Sequence, residues 1–215
     1  PDTFFSQRLV VSRLLCLMAM VVMGYSGACL AHPAGGTVTG AAARFLETLS
    51  VEQRNAAAHG FDDSERFAFR WTPGRRSGIT LGDLNARQNE ALKALMHHVV
   101  SHAGQERVDA ILATEAALGV LTGSPGYRDP KLYYTSVFGA PGPGQRWGLR
   151  FEGHHLSINM TFDGDRILSA SPLFLGANPE TITQGPDKGL RALGKQVDLA
   201  RSEEHTSELQ SHVRI

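Results

Sequence analysis

Trp147-Gly148-Leu149-Arg150-Phe151-Glu152-Gly153-His154-His155-Leu156-Ser157-Ile158-Asn159-Met160-Thr161-Phe162 is the stretch that decides how this chain folds. Trp147, Leu149 and Phe151 are apolar at odd positions, whereas Leu156, Ile158, Met160 and Phe162 are apolar at even ones. Side chains of a regular strand alternate strictly between faces, so one strand cannot change parity. Between Phe151 and Leu156 the chain must insert a residue or turn. Gly153-His154-His155 marks the place, and glycine is the residue a β-bulge tolerates best. With a bulge here, the opposite face runs Arg150, Glu152, His155, Ser157, Asn159, and His154 lies near the extra position. An arginine, a carboxylate, a histidine and an amide then share one row, and bulges often re-aim side chains beside active sites. A polar outer face alone is ordinary for an antiparallel sheet. The change of parity is what singles this segment out.

Working outward, the C-terminal half continues in β pattern. Leu132 to Phe138 is aromatic and β-favouring, and a Pro/Gly-rich turn from Gly139 to Gly144 follows it. Asp163-Gly164 is a hairpin signal. Ile167 to Leu175 reads as a last strand, which Pro172 confines to an edge or a bulge. The N-terminal half is mainly helical. Ala41 to Leu49 reads as a short helix, and Ser50-Val51-Glu52-Gln53 has the form of a capping box opening a second helix to Ala58. Phe67, Phe69 and Trp71 alternate with Ala68 and Arg70, the period of a strand, closed by Pro73-Gly74. Leu84, Ala91, Leu92, Leu95, Met96 and Val99 form one apolar helical stripe, with a break at Gly104. Val108, Ile111, Leu112 and Leu118 form another, ended by Gly123-Ser124-Pro125-Gly126. Helices first and strands after predict an α+β domain, with N-terminal helices on a mainly antiparallel sheet built by the C-terminal half.

Glu115 falls inside the second helical stripe, among Ile111, Leu112 and Leu118. A carboxylate there is costly unless paired or protonated. It is read either as a structural ion pair, with Arg150 as partner, or as a functional carboxylate of raised pKa. Glu115, Arg150 and His155 are expected to converge on one partly buried cavity. His98 and His102 stand four apart on a helix, but at the flank of its stripe and without the Glu of a His-Glu-x-x-His motif. They are read as surface residues.

The ends of the chain read differently from its middle. Arg8 and Arg13 precede the apolar run Leu14 to Met23, and small residues follow, so residues 1–31 read as an export signal with cleavage after Ala28 or Ala31. That places the mature protein in the periplasm or outside the cell, with no stable membrane insertion. Cleavage after Ala31 would make His32 the N-terminus and remove both cysteines, Cys16 and Cys29, leaving His, Asp, Glu and backbone oxygen as metal donors. Arg201 to His212 resembles translated sequencing adapter, so residues 201–215 are set apart as a foreign tail. Residues 32–200 are read as a single domain, the front part of a longer protein. With 42% hydrophobic residues it has material for a real core. Twenty-one Lys+Arg balance 21 Asp+Glu, which supplies no field to attract nucleic acid or an anionic membrane.

Leu132 to Gly139, Trp147 to Asn159 and Pro172 to Pro179 together resemble the domain of unknown function 3500 family (DUF3500), largely exported bacterial proteins. The resemblance spans about residues 40 to 200, and Gly153-His154-His155 is its most specific part. It implies export and leaves the chemistry open. Three readings of the site follow from the residues. In the first, a hydrolase, His155 is the general acid or base, Glu115 or Glu152 orients it, and Arg150 and Asn159 stabilise negative charge. No Gly-x-Ser-x-Gly supports it. In the second, His154, His155 and a carboxylate hold a divalent metal, which both histidines reach only through the bulge. In the third, Arg150 anchors a small polar or anionic ligand.

Overall fold

The computed structural model describes residues 36–212, with side chains through residue 203. The expected export signal and His32 lie outside the described residues. Helix α1 (Val38–Thr48) begins where the Thr37 hydroxyl accepts from the Gly40 amide. The Ser50 capping box is formed in full and opens α2 (Val51–Ala57). A two-residue strand β1 (Ala58–His59) and another, β2 (Ile79–Thr80), flank a long irregular segment. Helix α3 (Ala86–Val99) has its own capping box on Asn85 and Gln88. Ser101 caps α4 (His102–Leu121) by accepting from the Gly104 amide. Gly104 therefore sits in the first turn of α4 and does not break the chain, because Ser101 supplies the stop and start.

The sheet follows as β3 (Tyr134–Phe138), β4 (Arg146–Gly153), β5 (Leu156–Asp163), β6 (Arg166–Ser169) and β7 (Leu173–Leu175). β3, β4 and β5 form an antiparallel centre. β1 (parallel) and β2 (antiparallel) line the outer edge of β3, and β6 and β7 line that of β5. The predicted strand from Ile167 to Leu175 is thus one edge strand interrupted at Pro172. The architecture is α+β, and helix α5 (Gly194–His212) closes the described chain. The backbone of residues 201–212, set apart above as a foreign tail, is helical, and Arg201 pairs with Glu180 at 2.8 Å. Among the described residues no helix is long and apolar enough to cross a membrane.

One face of the sheet presents Val137, Trp147, Leu149, Phe151, Leu156, Ile158, Met160 and Phe162 to Phe45, Leu92, Leu95, Val108 and Ile111 of the helices. Removing that much apolar surface from water is the main stabilising term. The other face carries Ser136, Arg150, Glu152 and Ser157, each at most 1% exposed. It is covered by the irregular segment before β2. The alternation of Phe67, Phe69 and Trp71 does not make a strand: Ser64–Phe67 is a 3-10 turn, and the three rings are 71%, 36% and 41% exposed. Its carbonyls are satisfied elsewhere. Arg150 Nη1 donates to Glu65 O (2.6 Å) and Ala68 O (3.0 Å), and the His155 amide donates to Trp71 O (2.9 Å).

The parity switch is resolved by a turn, not a bulge. β4 and β5 are the arms of a hairpin whose loop is His154-His155 alone, since Gly153 pairs with Leu156. A two-residue loop sets odd residues of β4 opposite even residues of β5, so an apolar face must change parity across it. The irregularity in β5 lies instead opposite β6, between Thr161 and Phe162. His155 takes φ +61°, and no other described non-glycine residue has a positive φ. His155 is held there by its own amide on Trp71 and by the Gly176 amide, which donates to His155 O at 2.7 Å. Gly153 is required for a separate reason: a Cβ there would lie 2.4 Å from Tyr133 Cδ1.

Candidate functional site

Glu115 is carried by the face of α4 that also presents Val108, Ile111 and Leu118 to the core, and it is 3% exposed. Its partner is His154 in the hairpin turn: Nδ1 lies 2.5 Å from Glu115 Oε2. Arg128 lies against the same imidazole, its Nη1 2.9 Å from Nδ1 and 3.0 Å from Nε2. The Arg128 guanidinium therefore lies within hydrogen-bond distance of both ring nitrogens, and the Glu115 carboxylate within reach of one. The His155 ring stacks on His154 with centroids 3.6 Å apart. Burial holds His155 below the ordinary imidazole range; His154 adds to this, Glu115 opposes it, and Arg128 adds to it again. One donor atom from each of Glu115, His154 and His155 lies within 4.8 Å of the others.

Tyr133 braces the turn. Its hydroxyl donates to His154 O at 2.6 Å, while its ring covers Gly153. Burial first, and then the charge of Glu115, push the phenol far up, with Arg76 opposing, so it serves as a donor. Glu115, Tyr133 and His154 are among the walls of a cleft of about 460 Å³ that is also lined by Arg75, Arg76, Asp83, Tyr127, Asp129 and Tyr134. That volume suits a small molecule.

The expected convergence of Glu115, Arg150 and His155 is therefore met only in part. Arg150 does not join: it belongs to a second buried cluster, with Nη2 2.8 Å from Glu65 Oε1 and Nε 2.9 Å from Glu152 Oε1. The second approach is close but out of line, and neither Glu152 oxygen makes a directed hydrogen bond. Burial pushes the Glu152 carboxyl up, against the pull of Arg150, Arg76 and Arg70. Arg76 spans the two clusters, with Nε 3.5 Å from Glu152 Oε2 and Nη2 donating to Gly153 O at 3.2 Å. Asn159 is turned away, donating to Ser157 Oγ (3.0 Å) and Pro172 O (2.9 Å). His155 is not part of the polar strand row, because it lies in the turn. His98 and His102 are exposed and stay outside the group.

Arg76, Arg128 and Tyr133 were not foreseen as site residues. Glycine inside a strand signals a close approach, so Gly153 announced a bulky neighbour without naming Tyr133. Nothing in the local pattern pointed to Arg128, whose position depends on how its loop folds back over α4.

A family model described as "Protein of unknown function (DUF3500)" matches residues 34–210. No curated protein and no solved structure matches the chain.

Proposed function

The chain belongs to the DUF3500 family, and we propose that it is an exported metalloprotein holding one divalent transition metal through Glu115, His154 and His155. The observation that carries this reading is that three ligating atoms from two separate elements lie within 4.8 Å of one another beside a cleft. The donor set, two imidazoles and a carboxylate, suits zinc and its first-row neighbours and lacks the thiolates that favour soft ions. Two donors sharing one ion at about 2.1 Å each lie about 3.4 Å apart in a tetrahedral site, so loading requires the 2.5 Å contact between Glu115 and His154 to open and the widest pair to close. Adjacent histidines on a strand would point to opposite faces; in the turn their stacked rings lie side by side.

The second shell supports the reading too. The turn that bears both imidazoles is fixed by Tyr133 on His154 O, Trp71 on the His155 amide and Gly176 on His155 O. Such outer contacts set ring orientation in metal sites. A metal with three protein ligands keeps positions for water and substrate, which makes hydrolysis of a small molecule the reaction class proposed. Export through residues 1–31 and work in the periplasm or outside the cell are parts of the same proposal.

A second reading is favoured by the 2.5 Å contact between Glu115 and His154: a metal-free acid–base pair in which the carboxylate orients the imidazole. Calorimetric titration of the chelator-treated protein with zinc separates the two. One site per chain, weakened at least about tenfold by Glu115→Gln or His154→Ala, supports the metal. No zinc uptake by the folded protein leaves the acid–base pair.

A further inference from the structure

We propose that the ligand handled at this centre is a small oxyanion, a carboxylate or phosphate, anchored by Arg128 with Arg75 at the cleft wall. This rests on the metal-centre reading for its location and adds the substrate class. The first ground is the state of Arg128. It is half-buried, and no carboxylate among the described residues lies within 4.0 Å of it; its guanidinium has only the His154 imidazole and the Tyr127 ring, 5.1 Å away, for company. Glu115 shares His154 Nδ1 with it (2.5 Å and 2.9 Å), so a counter-charge is near, but no carboxylate oxygen takes the guanidinium's own hydrogens. Arg128 reaches the imidazole because its loop lies directly on α4 at Gly119, one turn beyond Glu115. A Cβ at 119 would stand 2.9 Å from Arg128 O and 3.2 Å from Arg128 Cβ. The Arg128 amide, donating to Ser124 O at 3.0 Å, closes that loop.

Arg75 is the second ground. It is exposed on the cleft wall and makes no ion pair or hydrogen bond among the described residues. The acids of the same cleft are engaged otherwise. Asp83 Oδ2 accepts from the Thr80 hydroxyl at 2.6 Å, Asp129 Oδ1 accepts from the Lys131 amide at 2.8 Å, and Glu115 is on His154. Arg75 thus stands unpaired at the cleft wall, and Arg128, against the donor triad, keeps N–H groups other than the Nη1 that meets His154; the planar fork of a guanidinium matches carboxylate and phosphate oxygens. Arg128 lies within 3.0 Å of an imidazole of the donor triad. An oxyanion bound there meets both the metal position and the guanidinium, the arrangement that stabilises negative charge at a reacting centre.

The test is calorimetric titration of the full chain with inorganic phosphate and, separately, malonate, on metal-free and zinc-loaded protein. Saturable binding of at least one anion is expected, weakened about tenfold or more by Arg128→Gln and about threefold by Arg75→Gln. Lys93→Gln, on the exposed side of α3, should leave it unchanged. Arg128→Lys keeps the charge and loses the fork, so it should fall between wild type and Arg128→Gln; it also serves if the glutamine variant folds poorly. Phosphate binding alone or malonate binding alone would name the source of the oxyanion. Zinc uptake with no anion binding, or anion binding indifferent to Arg128 and Arg75, overturns the inference and leaves the metal reading standing. Arginine-dependent anion binding with no zinc uptake keeps the inference at this cleft and overturns the metal.

Discussion

Gly153→Ala is the sharpest structural perturbation. A methyl at this position would stand 2.4 Å from Tyr133 Cδ1 and 2.6 Å from Cγ and Cε1, where ordinary contact begins at 3.4 Å. The ring must therefore retreat by about 1 Å in a close-packed interior. Tyr133 is 1% exposed, and its hydroxyl end is tied to His154 O, so the ring cannot withdraw toward the cleft without breaking that bond. Overpacking of this kind costs about 1–3 kcal/mol, and displacing the hydroxyl from His154 O at 2.6 Å forfeits about 1 kcal/mol more. Against this, alanine lowers the entropy of the unfolded chain by about 0.4–1 kcal/mol. The net loss expected is about 1–3.5 kcal/mol, measured by equilibrium urea unfolding with an unchanged slope. Tyr133→Ala removes Cγ, Cδ1 and Cε1 together, so the double variant should recover at least about 1 kcal/mol relative to the sum of the singles. A Gly153→Ala protein within about 0.5 kcal/mol of wild type, or strict additivity in the double variant, would refute the close-approach account.

The second cluster yields an ordering and a pH effect. Arg150→Met leaves the buried Glu152 with the more distant Arg76 alone, takes one of two arginines from Glu65 and frees the Glu65 and Ala68 carbonyls, so it should cost about 3–5 kcal/mol. Glu152→Gln should cost clearly less, since neither Glu152 oxygen makes a directed hydrogen bond; the reverse order in urea unfolding would remove Arg150 as the hub. The Arg70 guanidinium, and after the opposing effect of burial Arg150, hold the Glu65 carboxyl below its usual range. Its contribution is thus present above the unfolded value of about 4.3 and is lost as pH falls through the lower folded value. The stability gap between wild type and Glu65→Gln should accordingly be widest near neutrality and shrink below about pH 4; an equal gap at pH 3 and pH 7 would contradict it.

Much of this was legible in the sequence, and the limits have physical causes. The capping box at Ser50, the edge strand at Pro172 and the buried carboxylate at Glu115 follow from local chemistry or helical period. The parity switch at Gly153 located the important segment, but parity alone does not distinguish one inserted residue from a two-residue loop. The loop places both histidines in a turn and takes His155 out of the polar strand row. Phe67, Phe69 and Trp71 have the period of a strand without the partner a strand needs, because Arg150 takes the Glu65 and Ala68 carbonyls around them and the His155 amide takes that of Trp71. Partner choice across the core was the least visible: Arg150 was open to several acids, and only the fold shows that Glu65 and Glu152 claim it while His154 claims Glu115.

The central claim is that Glu115, His154 and His155 hold one metal. The measurement that tests it most directly is zinc-edge X-ray absorption of the full chain loaded with one equivalent of zinc, compared with Glu115→Gln. Nitrogen and oxygen neighbours at about 2.0–2.1 Å, the outer-shell scattering of two imidazoles, and a changed first shell in the variant are expected. Sulfur neighbours, one imidazole or none, or a spectrum unaltered by Glu115→Gln would contradict it.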